Sequence, residues 1–107
     1  MIVLIVIINS NDLMNYLQKP RSILTLFCLL YNSDKGLDEV LEKIGGSKRT
    51  GMERINELVK LGLVEKQLSS TDRKIFYQFS EEGREVTQEI EVLMKKWDFL
   101  QIKKSDK

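Results

Sequence analysis

Lys48, Arg49, Arg54, Lys60, Lys66, Arg73 and Lys74 crowd into residues 47–74 beside Glu53, Glu57, Glu65 and Asp72, in a chain of 107 residues whose net charge is only +1. Residues 81–91 carry the opposite sign, with Glu81, Glu82, Glu85, Glu89 and Glu91 against Arg84. Charge segregated in this way suggests one face meant for a polyanion, because affinity then comes from local clustering rather than from the whole chain. Covalent chemistry, by contrast, lacks its usual reagents. There is no His and Cys28 is the only Cys, so no internal disulfide, His/Cys metal cluster or imidazole-activated nucleophile can be assembled. The expectation is a protein that is not an enzyme and holds no metal or cofactor. Cys28 falls in an apolar run and is read as a buried, inert thiol, and a reducing, cytoplasmic setting follows.

The elements that must position these cations can be read from the spacing of apolar residues. At 42% hydrophobic and 31% charged, with a single Pro, the chain has the composition and length of one folded domain. Ser10-Asn-Asp12 caps a short helix carrying Leu13, Met14, Tyr16 and Leu17, which Pro20 interrupts and Pro20 itself then opens the next. There Ile23, Leu24, Leu26, Phe27, Leu30 and Tyr31 make a broad apolar face, ended by Asn32-Ser-Asp-Lys-Gly36. Asp38 is the expected cap of a brief helix facing inward with Val40, Leu41 and Ile44 and closed by Gly45-Gly46. Ser47 caps a third, in which Met52, Ile55, Leu58 and Val59 recur at helical spacing up to Gly62.

From Leu63 the period changes to two. Residues 63–68 and 74–79 read as antiparallel strands around a polar tip, Ser69-Ser70-Thr71-Asp72-Arg73. Tyr77, Phe76 and Phe79 are read as core and strand-pairing residues rather than as a stacking platform. Ser80 with Gly83 then opens a last helix, in which Val86, Ile90, Leu93, Trp97 and Leu100, with Met94 beside them, form a coiled-coil-like seam. A domain this small cannot cover Trp97, Phe99 and Leu100 by itself, so a second copy of the chain is the expected cover. The fold class is α+β, mainly α.

Helix, turn, helix and hairpin in this order, and the run from Gly51 through Leu61-Gly-Leu-Val-Glu-Lys66, resemble winged helix-turn-helix regulators of the MarR, PadR and ArsR type. Thr71-Asp-Arg-Lys74 and Phe79-Ser-Glu-Glu-Gly-Arg84 resemble the wing tip and the start of the dimerisation helix of the MarR group, and the likeness spans about residues 22–100. The resemblance implies a homodimeric transcriptional regulator of double-stranded DNA, with the third helix in the major groove and the wing at the neighbouring backbone or minor groove. Candidate recognition-helix residues are Ser47, Lys48, Arg49, Thr50, Met52, Glu53, Arg54 and Asn56; Arg54 and Asn56 are placed on its more exposed part, and Arg49 and Asn56 are expected at base edges. Candidate wing residues are Ser69, Ser70, Thr71, Asp72, Arg73 and Lys74, with Arg73 entering the minor groove and Asp72 orienting it, as the resemblance implies. Glu53 departs from the family, since a basic or small residue often stands there and a carboxylate repels phosphate, although Glu can accept from cytosine.

The expected organisation is an extension over residues 1–19, a winged-helix domain over 20–80, and a dimerisation helix with basic tail over 81–107. Residues 1–8, Met-Ile-Val-Leu-Ile-Val-Ile-Ile, are too short to span a bilayer and lack the pattern of a signal peptide. They read as a strand or as a leader before Met14, and no membrane partner is expected. The alternatives to a sequence-specific regulator are a winged-helix protein-interaction module and a non-specific chromatin-type DNA binder. A small-molecule effector is left open.

Overall fold

The computed structural model describes residues 11–32, 35–71 and 74–105. The expected strand at residues 1–8, Ser10 of the first cap, Ser33-Asp34 of the turn, the wing-tip pair Asp72 and Arg73, and residues 106–107 of the tail lie outside them. Helix α1 (residues 11–17) leads through a turn into α2 (Ser22–Tyr31), α3 (Leu37–Ile44) and α4 (Lys48–Lys60). Strands β1 (Val64–Leu68) and β2 (Ile75–Phe79) pair antiparallel, Val64 opposite Phe79 and Leu68 opposite Ile75, and α5 (Glu81–Ser105) follows. A helix-turn-helix continued by a two-stranded wing and a long helix is the winged helix-turn-helix architecture, α+β and mainly α.

The core forms where the three middle helices meet the root of the wing. Leu26 and Leu29 of α2, Val40, Leu41 and Ile44 of α3, and Ile55 and Leu58 of α4 close around Val64 and Tyr77. Burying each large side chain contributes about 1.5–3 kcal/mol, so this cluster is what holds α4 in place. The inward residues of α3 are as the spacing predicts, and Cys28 is buried, as its place in an apolar run predicts. Burial also pushes the Cys28 thiol pKa up, only partly offset by Lys43, which keeps the group protonated and unreactive.

Three local expectations are corrected. Helix α2 buries Ser22, Thr25, Leu26, Cys28 and Leu29, whereas Ile23, Leu24 and Tyr31 are exposed. Its sequence is apolar nearly all round, so apolar spacing gave no contrast. The small hydroxyl residues take the inward face because each satisfies its own group locally: Ser22 Oγ donates to the Leu17 carbonyl at 2.9 Å and Thr25 Oγ1 to the Arg21 carbonyl at 2.7 Å. Helix α3 is capped by Gly36 in an extended conformation, and Asp38 sits in the first turn with Glu39, where both face the positive end of the helix dipole. Val59, expected inward, lies at the edge of exposure.

Pro20, expected to open α2, lies instead in the turn before it, and the N-cap is Arg21 in the left-handed region at φ 62°. That conformation sends the Arg21 side chain across to α3, where Nη1 donates to the Ile44 carbonyl at 2.8 Å. Gly45 and Gly46 follow with φ of 75° and 68°, and a Cβ on Gly46 would stand 2.8 Å from Arg21 Nε. The glycine pair therefore serves both the turn between α3 and α4 and the passage of one guanidinium over it.

Candidate nucleic-acid interface

Ser47 has extended backbone and its Oγ accepts the Thr50 amide at 3.1 Å, as expected of the cap. The Ser47 and Thr50 hydroxyls lie 2.9 Å apart. The amides of Lys48 and Arg49 have no intrahelical acceptor at this end, and both side chains are exposed, so the first turn offers two cations with two N–H groups. On the inward side, a Cβ on Gly51 would meet Leu41 Cδ2 at 2.7 Å. This close approach lets α4 lie on α3 while Arg49, Glu53, Asn56 and Lys60, spaced by three and four, remain exposed along one outer stripe. Thr50 and Met52 are half-buried at its margins, Met52 packing against the core.

Arg54 is not on that stripe. It is buried at 8% exposure, which corrects the expectation that it lies on the more exposed part of the helix. Three residues after Gly51 and four before Leu58, both buried, its position belongs to the inward face. Its charge is met by Glu57, whose Oε1 is 2.6 Å from Arg54 Nη1, and more distantly by Glu53 Oε2, 3.8 Å from Nη2. Glu57 in turn pairs with Lys19 of the turn after α1 at 2.9 Å. Arg54 thus ties α4 toward the N-terminal helix and is removed from the set of DNA-facing candidates. Arg54→Ala is expected to destabilise the fold by about 2 kcal/mol in urea unfolding, since Lys19 still offsets Glu57. Arg49→Ala, which removes a side chain that is 89% exposed, should leave the unfolding free energy within about 0.5 kcal/mol of wild type.

The same cluster encloses Tyr16, 2% exposed, whose hydroxyl donates to the Ser22 carbonyl at 3.2 Å. Burial, and then the charge of Glu57, push its pKa well above the ordinary tyrosine value. Because the folded value is the higher one, the neutral phenol's stabilisation is complete below about pH 10 and is lost as pH rises beyond it, by about 1.4 kcal/mol per unit. Helix content followed by circular dichroism should fall as pH is raised past about 10, and Tyr16→Phe should shift that loss to higher pH.

At the wing, the Ser69 amide donates to the Lys74 carbonyl at 2.9 Å and the Ser69 and Thr71 hydroxyls lie 3.2 Å apart. Ser70, Thr71 and Lys74 are exposed and Ser69 is half-buried. The remaining wing candidates, Asp72 and Arg73, lie outside the described residues.

The seam read on α5 divides in two. Val86 and Ile90 are half-buried and line an open groove of about 690 Å³ with Leu13 and Leu17 of α1. Leu93, Met94, Trp97 and Leu100 are exposed at 69%, 44%, 63% and 42%. Val92 and Ile102, which heptad spacing did not select, are exposed with them, as is Phe99, whose ring lies 5.6 Å from Lys103 Nζ. Among the described residues no helix is long and apolar enough to cross a membrane, and no group of His, Cys, Asp and Glu is placed to hold a metal ion.

The family model for HxlR-like helix-turn-helix proteins matches residues 19–106. Among solved structures, the homodimeric winged helix-turn-helix DNA-binding domain of Mb0332 from Mycobacterium bovis, a possible ArsR-family regulator, is similar at TM-score 0.67 and 16% identity. It is matched over 84% of this chain and 82% of that one. A MarR transcriptional regulator from Methanosarcina mazei Go1 is similar at 0.69 and 17% identity, over 91% and 70%. A MepR variant from S. aureus bound to an oligodeoxyribonucleotide is similar at 0.69 and 10% identity, over 89% and 71%. At such identities the likeness is one of fold. No curated protein matches the chain in sequence.

Proposed function

The chain belongs to the HxlR-like helix-turn-helix family, and from that premise we propose that it is a sequence-specific regulator of transcription that binds double-stranded DNA as a homodimer in the cytoplasm. The observation that carries this reading is the division of α4. Its inward face is locked into the core by Gly51, Ile55 and Leu58, while its capped first turn and outer stripe present Lys48, Arg49, Asn56 and Lys60 to solvent. A rigid helix with an exposed polar and basic ridge fits the major groove. In this reading Lys48 and the first-turn amides hold phosphate, and Arg49 and Asn56 meet base edges. Ser69, Ser70, Thr71 and Lys74 follow the backbone beside the groove, with Asp72 and Arg73 at the tip. Residues 20–80 are the DNA-binding domain, residues 81–107 bring two copies together, and residues 1–19 are an extension to the first. The DNA complex of the MepR variant supports the assignment by analogy of fold.

Fluorescence anisotropy of labelled duplex DNA at several salt concentrations tests it, comparing wild type with Arg49→Ala and Arg73→Ala. Wild type should bind with a steep inverse dependence on salt, because phosphate contacts release counterions. A substitution that removes a phosphate contact should lower the logarithmic slope by about 1, and loss of a base contact should weaken the preferred site about tenfold. Absence of binding by wild type even at low salt would overturn the reading.

A further inference from the structure

A carboxylate on the outer stripe of a DNA-facing helix should be repelled by phosphate, yet Glu53 stands there, half exposed, between Arg49 and Asn56. The structure shows how its charge is offset. Glu53 Oε1 accepts from Arg49 Nε at 3.3 Å on the solvent side, and Oε2 lies 3.8 Å from Nη2 of Arg54 on the core side. Arg54 is itself fixed by Glu57 at 2.6 Å. The carboxylate is thus flanked by two guanidiniums, one buried and immobile, one exposed and free to leave.

Resting on the reading of α4 as the recognition helix, we propose that Arg49 and Glu53 form a base-reading pair in which Arg49 selects guanine and Glu53 selects cytosine within the same half-site. An ionised carboxylate has only acceptors. In the major groove the exposed donors are the amino groups of cytosine and adenine, and adenine sets the N7 acceptor beside its amino group, which repels a carboxylate. Cytosine remains as the matching base. Arg49, released from Glu53, presents its fork to O6 and N7 of guanine. Residues four apart on a helix are separated by about 6 Å of rise, and base pairs by about 3.4 Å, so the two readings fall no more than about two base pairs apart. Arg54, 3.8 Å from the other oxygen, offsets part of the carboxylate's charge while Oε1 changes partner.

The test is selection of bound duplexes from a randomised DNA pool by the full chain, followed by competition with single base-pair changes in the preferred site. Wild type, Arg49→Ala, Glu53→Ala and Glu53→Gln are compared, each checked for helix content. The expected wild-type site holds a guanine and a cytosine within two base pairs, and exchanging the cytosine weakens binding about tenfold. Glu53→Ala should abolish that discrimination while strengthening binding to unrelated duplexes. Glu53→Gln should move the preference toward adenine, which a carboxamide reads through N6 and N7. A preferred site whose base preferences are the same in wild type and in both Glu53 variants overturns the proposal and leaves the regulator reading intact. A wild-type protein that binds no duplex, or binds all alike, overturns both.

Discussion

Gly83→Ala should destabilise the protein by about 3 kcal/mol or more, although helix propensity alone favours Ala over Gly by up to about 1 kcal/mol. The two effects have opposite signs, so the outcome identifies the cause. Gly83 lies in the first turn of α5, where its amide donates to the capping Ser80 Oγ at 3.1 Å and its carbonyl accepts from Thr87 Oγ1 at 2.8 Å. Ser80 reaches back to the end of the helix-turn-helix: its amide donates to the Leu63 carbonyl at 3.0 Å and its hydroxyl to that of Gly62 at 2.6 Å. A Cβ on Gly83 would fall on the Leu63 carbonyl oxygen and stand 2.7 Å from its carbon. The obstacle is backbone already hydrogen-bonded to Ser80, so it cannot swing aside as a side chain would. A domain of this size has about 5–15 kcal/mol in all, and the urea midpoint should drop accordingly. Gly36→Ala is the control. Gly36 has φ −70° and open space where a Cβ would go, and its substitution should change stability by less than about 1 kcal/mol. Equal midpoints for the two variants would mean that the contact between Gly83 and Leu63 does not fix α5.

The element order, the Ser47 and Ser80 caps and the two-stranded wing are legible in the sequence because each rests on a local rule. Capping hydroxyls precede their helices by fixed spacing, and alternation marks a strand wherever one face is buried. The rest depends on packing between elements. The charge of Arg54 suits a surface position, yet its place in the helical repeat between Gly51 and Leu58 is the signal that it faces inward, where Glu57 makes its burial tolerable. The role of Arg21 had no local signal at all, since its acceptor is on Ile44, far along the chain. Nothing local marks why Gly51 and Gly83 lack a side chain; the approach of Leu41 and of the Leu63 carbonyl shows it. The motifs quoted for the MarR, PadR and ArsR types report the demands of the shared fold, a tight turn at Gly62 and a wing after it, and so led to the architecture, while the family that matches is HxlR-like. Of the candidate interface, the inward residues Ile55 and Leu58 of α4 were legible from periodicity; the outer stripe of Arg49, Glu53, Asn56 and Lys60, and the sharing of Glu53 between Arg49 and Arg54, were not.

Trp97→Glu is expected to separate the proposed homodimer without unfolding the chain. From Val92 to Lys104 every side chain of α5 is exposed, and Leu93, Trp97 and Leu100 follow one another at spacings of four and three on that stretch. A helix of 25 residues is roughly 37 Å long, and its second half leaves the domain that anchors its first. Apolar surface concentrated in this way is stable in water when a partner covers it, and a standard interface takes about 800 Å² from each side. Trp is the residue type most often found to dominate such interfaces, where its loss weakens association by about 2–4 kcal/mol. A carboxylate in its place adds the penalty of an unpaired charge in the seam, carried twice in a symmetric pair. The dissociation constant should therefore rise by at least about a hundredfold, read by sedimentation equilibrium. Because Trp97 is 63% exposed and makes no part of the core, helix content at low temperature should stay close to that of wild type. Two recognition helices held at a fixed separation bind a two-part site far more tightly than either alone, by about 10²–10⁴. The separated chain should lose that advantage while keeping the affinity of a single half-site. A Trp97→Glu protein that still sediments as a pair would place the contact elsewhere on α1 and α5, and a monomer that binds the full site as tightly as wild type would mean that one copy is sufficient for recognition.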